Sequence, residues 1–330
     1  MSVRIGVIGV GRIGSMHADL LARQVPDAEV TWVNDAHVPA AAATATRLQV
    51  ASGSVEQLLA APDVDAVAIC TSTDTHADLI VAAAEAGKAI FCEKPVSLDL
   101  AEVDRALAAV QAAGVAFQIG FNRRFDPAHA AVARAVAEGE IGEVQILRIT
   151  SRDPAPPPIE YVRTSGGIFL DMTIHDFDMA RFVAQSEVVE VYARGSVRVN
   201  PEFGEANDVD TAVILLEHEN GCLTTIDNSR QAVYGYDQRV EVFGSAGMAA
   251  SENPLAHSTI VRTATGLRAA TLPYFFLERY IPSYLREWEA FTTAVATGTT
   301  PVVGPVDARA PLVIGLAAWQ SLREGRPVRL

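Results

Sequence analysis

The feature that most limits the fold of this chain is a glycine-rich turn close to its N-terminus. Residues 3–9, VRIGVIG, form an apolar run with β-branched side chains, which is typical of a buried strand. Gly9, Gly11 and Gly14 follow at the spacing G-x-G-x-x-G, and apolar residues then recur at a helical period. The first glycine permits a sharp bend, the second lets a pyrophosphate approach the backbone, and the third allows close helix–strand packing. The sequence therefore predicts the first unit of a dinucleotide-binding Rossmann domain.

An acidic residue at the end of the next strand indicates which dinucleotide is bound. The apolar run Val30–Val33 leads to Asp35, about 20 residues beyond the glycine turn. A carboxylate there would bind both ribose hydroxyls of the adenosine and repel a 2′-phosphate. Ala36, His37 and Val38 come next, so no arginine follows it. The pattern favours NAD over NADP; the alternative is a Rossmann turn that binds no phosphate.

Strand and helix patterns continue to alternate up to residue 120, which predicts a parallel sheet covered by helices on both faces. The predicted elements are helix Val55–Ala61, strand Val64–Cys70, helix His76–Ala86, strand Ala89–Cys92, helix Leu98–Ala113 and strand Val115–Gly120. The doubly wound order places ligands at the carboxyl ends of such strands.

Polar residues stand at two of these carboxyl ends. The segment 71–76, TSTDTH, follows one strand, and Glu93-Lys94-Pro95 follows another. His76 either touches the cofactor or caps its own helix locally. Lys94, held by the following proline, would point towards the nicotinamide, hydrogen-bond a substrate hydroxyl and stabilise alkoxide character. The alternative for Lys94 is an exposed surface lysine.

A carboxylate and an imidazole are combined in residues 165–182, SGGIFLDMTIHDFDMARF. After two glycines a helical pattern begins in which Asp171 and His175 are four residues apart, so one helix would present both on the same face. An imidazole beside a carboxylate is a common base near neutral pH. The alternative is a helix start with acidic residues near its positive end and a hydrogen-bonded core histidine.

The pattern changes after Gly120, which predicts a domain boundary near residue 121. A helix over Phe125–Gly139 is followed by long alternating runs, and helices over Ser283–Thr297 and Val306–Glu324 end the chain. The predicted strands are Val144–Ser151, Val188–Val199, Asp210–His218, Cys222–Asn228 and Arg239–Phe243. The expected fold is α/β: residues 1–121 form an NAD-binding Rossmann domain with a doubly wound parallel sheet. Residues 122–330 form a C-terminal α+β domain with a large, mostly antiparallel open sheet for substrate binding and oligomerisation.

Composition excludes several classes of partner. The 330 residues carry a formal net charge of −14, which argues against nucleic acid or an anionic membrane as partner. No run of about 18 apolar residues exists and the N-terminus reads as a strand, so we expect a cytoplasmic protein without a signal peptide. Cys70, Cys92 and Cys222 lack metal-ligand spacing and read as free thiols; we predict no metal and expect surface positions for His129, His218 and His257.

Several motifs together resemble one family. GVIGVGRIG, CTSTDTH, FCEKP and GFNRRFDP, in this order, are similar to the Gfo/Idh/MocA family of NAD(P)-dependent oxidoreductases. SRDPAPPP at 151–158, SGGIFLDMTIHDFD at 165–178 and NSRQAVYGYDQR at 228–239 resemble segments of bacterial inositol 2-dehydrogenases. The resemblance runs from residue 3 to about 328. Leu170 departs from the basic residue expected in many of these enzymes, and Asn34 before Asp35 is a smaller variation.

The resemblance implies NAD-dependent oxidation of a secondary hydroxyl of myo-inositol, or of a close cyclic polyol, to a ketoinositol in inositol catabolism. It implies a catalytic set of Lys94, Asp171 and His175, with His175 as general base and Asp171 as its orienting partner. The cofactor-binding residues would be Gly9, Gly11, Arg12, Ile13, Gly14, Asp35, Thr71, Ser72, Thr73, His76, Glu93 and Lys94. The substrate-binding residues would be Lys94, Arg124, Asp153, Asp171, Thr173, His175, Tyr234, Tyr236 and Tyr284.

Other roles for these residues stay open at this stage. Arg124 and Asp153 could form a structural ion pair. Tyr234 and Tyr236 would share one face by alternation, with one of them serving in packing, and Tyr284 would open a helix. The alternative functions are a dehydrogenase of another polyol, sugar or inositol derivative, or a non-catalytic NAD-binding regulatory protein. The family resemblance also implies a homo-oligomer, a dimer or a homotetramer, built through the C-terminal sheet.

Overall fold

The computed structural model describes residues 2–330, which divide into two compact units. The first unit holds the described residues up to Asn122 together with Tyr284–Leu312, and the second holds Arg123–Ser283 and Val313–Leu330. Among residues 2–330, no helix combines the length and the apolar character needed to cross a membrane.

The first unit is built on a six-stranded parallel sheet. Its strands β1–β6 are Val3–Ile8, Ala28–Asn34, Ala51–Ser52, Ala66–Ile69, Ala89–Glu93 and Phe117–Gly120, and its helices α1–α5 are Arg12–Arg23, Val38–Leu48, Val55–Ala60, Thr73–Glu85 and Leu100–Ala113. The strand order is β3-β2-β1-β4-β5-β6, and neighbouring strands pair in parallel. This is the doubly wound order of a dinucleotide-binding sheet, so the predicted Rossmann fold is confirmed.

Apolar side chains from the central strands and from a late helix build the core of this unit. Ile5 and Val7 of β1 are fully buried, as is Phe91 of β5. Trp288 and Phe291 come from α11, Phe276–Thr297, whose residues from Tyr284 onwards belong to this unit. The rings of Phe91 and Trp288 lie 4.2 Å apart between centroids. Because parallel strands are covered on both faces, they read as the continuous apolar runs seen in the sequence.

The second unit is built on a seven-stranded mixed sheet. The unit contains the helices and strands α6 Pro127–Ala137, β7 Val144–Arg152, α7 Ile159–Val162, α8 Gly167–Asp171, α9 Ile174–Ala184, β8 Val188–Ser196, α10 Glu202–Glu205, β9 Thr211–His218, β10 Leu223–Ser229, β11 Asp237–Gly244, β12 Gly247–Ser251, β13 Val261–Thr263, β14 Gly266–Arg268 and β15 Val328–Arg329. The last helix, α12 Pro305–Glu324, belongs to the first unit up to Leu312 and to the second from Val313 onwards. The sheet order is β12-β11-β7-β10-β9-β8-β15. The pairing of β7 with β10 is parallel and the other pairings of this sheet are antiparallel. The prediction of a mostly antiparallel sheet is therefore confirmed.

One helix of this unit is divided where the sequence predicted continuity. Asp171 is the last residue of α8, and His175 lies in the first turn of α9. The carbonyl of Ile168 accepts two backbone N–H groups, from Met172 four residues later and from Thr173 five residues later. The bond from Thr173 departs from the regular i→i+4 ladder of an α-helix and marks the interruption. The prediction that Asp171 and His175 share one face of a single helix was therefore wrong.

Candidate active site

The glycine turn of the first unit is packed as a phosphate-binding turn requires. Gly9 has φ +89°, and a Cβ built on it would lie 2.8 Å from the backbone of Cys70. A Cβ on Gly14 would lie 1.8 Å from the carbonyl oxygen of Gly9, so only glycine lets α1 start this close to β1. A Cβ on Gly11 would meet no heavy atom within 4 Å. The backbone is therefore closely packed at Gly9 and Gly14 and open to solvent at Gly11, which leaves space for a pyrophosphate.

Asp35 is fixed beside this turn by two backbone groups. Its Oδ2 accepts the N–H of Val10 at 2.8 Å, and its Oδ1 accepts the N–H of His37 at 2.8 Å. Each carboxylate oxygen retains a second acceptor site for a ribose hydroxyl. The carboxylate therefore ties the glycine turn to the end of β2 and fits the NAD-binding residues predicted around it.

Two strand ends in the same unit hold the other predicted cofactor residues. After β4, the hydroxyls of Thr71 and Thr75 lie 2.7 Å apart, and Thr75 also donates to the carbonyl of Ser72. Ser72 is exposed, while Thr73 is half-buried at the first residue of α4. These groups form a polar rim at the carboxyl end of the sheet, where open α/β sheets bind ligands.

His76 lies beneath that rim and not on it. Its side chain is buried, with Nδ1 2.8 Å from the carbonyl oxygen of Pro95 and Nε2 3.1 Å from that of Thr71. Burial lowers the pKa of His76, although both carbonyl contacts oppose the shift. The geometry favours the local structural role over direct contact with the cofactor.

Lys94 immediately follows the last ladder residue of β5. The β5–β6 register ends at the pair Glu93 and Gly120, and the peptide between Lys94 and Pro95 is cis. The N–H of Lys94 donates to Oε2 of Glu93 at 3.2 Å, and both residues are half-buried. Lys94 therefore stands at a strand end as predicted.

In the second unit a single arginine joins two of the predicted site residues. Arg230, just after β10, donates from Nη2 to Asp171 at 2.9 Å and from Nη1 to Asp153 at 3.2 Å. The hydroxyl of Tyr161 donates to the other oxygen of Asp171 at 2.8 Å. The Arg230 side chain is 3% exposed, whereas Asp171 and Asp153 retain 12% and 24%. Burial raises the pKa of Asp153, and the Arg230 cation opposes that shift.

A second buried network supports this cluster. Arg123 donates to Asp176 at 2.7 Å, and the amide of Asn228 donates to the other oxygen of Asp176 at 2.8 Å. The hydroxyl of Thr173 donates to Asn228 at 2.6 Å. Burial raises the pKa of Asp176 to about 6, against the Arg123 cation and the Asn228 amide. Thr173 is fully buried here, so it anchors the start of α9 to β10.

His175 follows two residues after Thr173 and is half-buried, and its N–H donates to the carbonyl of Met172 at 3.3 Å. The arrangement in this unit therefore holds an imidazole on one helix and a fixed carboxylate, Asp171, at the end of the preceding one. Leu170, the departure from the family pattern, is buried and lies close to Gly315, where a Cβ would approach its Cδ2 to 2.5 Å. It is a packing residue.

Several predicted roles change in the structure. Arg124 makes a two-pronged ion pair with Asp178 at 2.8 and 2.6 Å, a partner that the sequence did not indicate. Tyr234 is 50% exposed and Tyr236 only 6%, because residues 230–236 are not part of a strand and alternation does not apply.

Tyr284 lies in the middle of α11 and does not open it. It is buried against His17 in the first unit, with ring centroids 5.3 Å apart. His129 and His218 are also buried, against the predicted surface positions, and bond Ser251 and Thr224 respectively. The three cysteines are buried free thiols, as predicted for Cys70 and Cys92.

Sequence reasoning missed the residues that organise the second unit. Arg230, Asp176 and Asn228 stand inside motifs that were recognised as whole segments, but none was assigned a role. The sequence did contain a signal for these residues: a basic or amide side chain within an alternating segment, or an acidic one within an apolar helix, would be buried in the fold. Such groups are buried only when they are paired, so each implied a partner elsewhere in the chain.

Comparisons with known proteins agree with this architecture. Residues 3–121 match the model of an oxidoreductase family with an NAD-binding Rossmann fold, and residues 129–250 match the GFO/IDH/MocA C-terminal domain. The chain is 49% identical to a myo-inositol 2-dehydrogenase of Thermotoga maritima, covering 99% of this chain and 98% of the relative. It is 44% identical to an inositol 2-dehydrogenase of Rhizobium meliloti over the full length of both chains.

A solved structure shows the same fold with ligands bound. The scyllo-inositol dehydrogenase of Lactobacillus casei, crystallised with NAD(H) and scyllo-inositol, matches with a TM-score of 0.92 at 28% identity, covering 100% of this chain and 99% of that one. Together with the glycine turn and Asp35, these matches identify the cofactor as NAD. The chain belongs to the Gfo/Idh/MocA family of NAD-dependent oxidoreductases that act on CH–OH groups.

Proposed function

We propose that this enzyme oxidises a secondary ring hydroxyl of myo-inositol, or of a close cyclic polyol, to the ketone. The observation that carries the proposal is the cluster around Arg230, in which Asp171 and Asp153 keep partly exposed carboxylates beside the helix that bears His175. Carboxylates held in place by a buried cation are suited to accept several hydroxyl hydrogen bonds at once. The names of the full-length relatives support the same substrate class.

In the proposed reaction two hydrogens leave one carbon–oxygen unit. Bound NAD supplies the acceptor for the hydride from carbon. His175 takes the hydroxyl proton at a ring nitrogen, so the alcohol becomes a ketone and the imidazole becomes a cation. The ammonium of Lys94 donates a hydrogen bond to the reacting oxygen and stabilises the negative charge that develops there.

Two aspartates of the second unit are proposed to orient His175 and the substrate. Asp171, held by Tyr161 and Arg230, is the proposed orienting carboxylate that favours the cationic form of His175. Asp153 is the proposed acceptor for a second substrate hydroxyl. We propose a domain boundary near residue 121, with residues 1–121 binding NAD and residues 122–330 supplying the side chains that bind the substrate.

The test is NADH formation by the purified protein with NAD and a panel of inositols, including myo- and scyllo-inositol, and aldoses. Lys94→Ala and His175→Ala should each lower kcat by 100-fold or more, about the range of a lost general base. His257→Ala is the matched control, because His257 is an exposed histidine of the same unit. Turnover of scyllo-inositol alone would keep the mechanism and change the isomer. NAD binding without any turnover would favour the regulatory alternative.

We also propose that a second copy of this chain covers the open face of the mixed sheet. Met248, Phe243, Ile146 and Leu223 lie side by side on four adjacent strands, and each is 39–52% exposed. On the next strand, β9, Glu217 lies opposite Leu223, and the exposed Leu215 lies two residues away opposite Thr225. A continuous apolar row of this kind on a sheet face is typical of a protein interface.

Light scattering coupled to gel filtration tests this surface. Phe243→Glu places a charge in the apolar row and should convert a dimer or tetramer into smaller species. Val38→Glu is the control, since Val38 is 71% exposed in the first unit and lies outside the row. A monomeric native protein, or a Phe243→Glu variant of unchanged mass, would contradict the proposal.

A further inference from the structure

Two buried histidines hold the backbone on either side of Lys94. His17 of α1 is fully buried, and its Nε2 lies 2.8 Å from Oε1 of Glu93. The other carboxylate oxygen, Oε2, accepts the N–H of Lys94. On the far side, Nδ1 of His76 lies 2.8 Å from the carbonyl oxygen of Pro95. His76 therefore contacts the backbone carbonyl after Lys94, and His17 contacts the side chain that accepts the Lys94 N–H.

A tryptophan fixes the proton of His17. The indole Nε1–H of Trp288 points at Nδ1 of His17 at 2.8 Å. Indole nitrogen only donates, so Nδ1 must accept and Nε2 must carry the hydrogen that Glu93 receives. The rings of Phe91 and Tyr284 pack edge-on against the same imidazole at 5.5 and 5.3 Å. His17 thus has one tautomer and one orientation.

The position of Lys94 needs such support. Glu93 is the last residue of the β5–β6 ladder, so Lys94 lies beyond the regular sheet hydrogen bonds. A displacement of about 1 Å in a catalytic group can cost about 100-fold in rate. The bond from His17 to Oε1 of Glu93 fixes the carboxylate, and this fixes Oε2 where it accepts the N–H of Lys94.

We propose that His17, through Glu93, and His76, through the Pro95 carbonyl, are positioning residues for Lys94. Neither touches substrate or cofactor in this role, and Trp288 serves it by setting the tautomer of His17. The expected effect on kcat rests on the proposed function of Lys94, whereas the positioning itself concerns the backbone at residues 93–95.

Paired substitutions test the proposal. His17→Leu keeps an apolar filler in the ring cluster and removes the donor, whereas His17→Gln keeps an amide N–H. His76→Leu and His76→Asn form the second pair, because the Asn amide matches the position of Nδ1. We expect both Leu variants to lose about 10- to 100-fold in kcat. The Gln and Asn variants should recover most of that loss, while KM for polyol and the Kd for NADH change by less than about threefold.

Hydrogen exchange of the Lys94 amide gives a readout that needs no substrate. His17→Leu should raise its exchange rate about tenfold and His17→Gln much less, since Pro95 has no amide hydrogen to obscure the site. If His17→Leu leaves both kcat and the exchange rate of the Lys94 amide unchanged, the proposal is overturned. It is also overturned if His17→Leu and His17→Gln lose kcat equally and their Tm values fall by the same amount. If the native enzyme oxidises no polyol, the proposed function fails and the exchange result alone decides the role of His17.

Discussion

The buried carboxyl of Glu287 gives a pH-dependent stability that can be worked out from its surroundings. Glu287 is fully buried on α11, and neither of its oxygens has a hydrogen-bond partner among residues 2–330. Burial, reinforced by the charge of Glu93, raises its pKa well above the usual range of a carboxyl. In the folded protein the group therefore keeps its proton at pH values where the unfolded chain has released it.

The sign of the effect follows from proton counting. Above about pH 4.3, the usual pKa of glutamate, the folded state binds one proton more than the unfolded state. Stability is then lost as pH rises towards the elevated folded pKa, by about 1.4 kcal/mol per pH unit. Glu287→Met, of similar volume, has no proton to release and removes two unsatisfied oxygens.

The assay is urea unfolding of both proteins at pH 5, 6 and 7, followed by tryptophan fluorescence. The free energy of unfolding of Glu287→Met relative to the native protein should increase with pH, by up to about 1.4 kcal/mol per pH unit while the folded carboxyl stays protonated. Glu289→Met controls for the loss of a carboxylate from the same helix, since Glu289 is exposed. A difference that is the same at all three pH values would refute the reasoning, because it would mean that Glu287 is ionised in the fold.

Two further predictions concern the glycine turn and the central arginine. Gly14→Ala should destabilise the protein by about 3 kcal/mol in thermal unfolding, because its Cβ would meet the Gly9 carbonyl. Gly11→Ala should leave the unliganded Tm unchanged but weaken NADH binding at least tenfold in a fluorescence titration, since its Cβ fills the open space above the turn; equal effects of the two would contradict this assignment. Arg230→Met removes the cation that pairs with Asp153 and Asp171, so it should lower the free energy of unfolding in urea by about 3–5 kcal/mol. A decrease below about 1 kcal/mol would show that other groups hold the cluster together.

The first unit was predictable because its signals are local. The turn at Gly9–Gly14, the run before Asp35 and the apolar strands each lie within a few residues of one another, and the parallel sheet requires them in that order. The predicted elements differ only at their ends, such as β2, which starts at Ala28 where the sequence indicated Val30. The helix α2 and the short strand β3 were not predicted. The contact of Trp288 with His17 was not predictable, since 271 residues separate the two.

The second unit was predictable in class but not in its pairings. Arg230 and Asp171 are 59 residues apart, and Arg123 and Asp176 are 53 apart. Several arginines and aspartates could satisfy the same charge rule, and only the folded sheet brings one arginine to one carboxylate. The predicted start of α11 at Ser283 was also wrong, because the helix begins at Phe276 and contains Pro282.

Asp35 combines a bond that the structure shows with a cofactor contact that we propose, and separating them gives a last prediction. The carboxylate proposed to bind the ribose also accepts the N–H of Val10 within the glycine turn. Asp35→Ala removes the charge that would repel a 2′-phosphate, so kcat/KM with NADP should rise. It also frees the turn at Val10 and removes the ribose acceptor, so kcat/KM with NAD should fall. The preference for NAD over NADP should decrease by about 100-fold, mainly through the loss with NAD.

Steady-state kinetics with both cofactors separate the two roles. Glu29→Ala, which removes an exposed acidic side chain from the same strand, should leave the preference unchanged. If Asp35→Ala gained activity with NADP while keeping its full activity with NAD, the bond to Val10 would be dispensable. The discrimination would then rest on repulsion alone. A fall with NAD that exceeds the gain with NADP instead means that the carboxylate which selects the cofactor also shapes the turn that holds its phosphates.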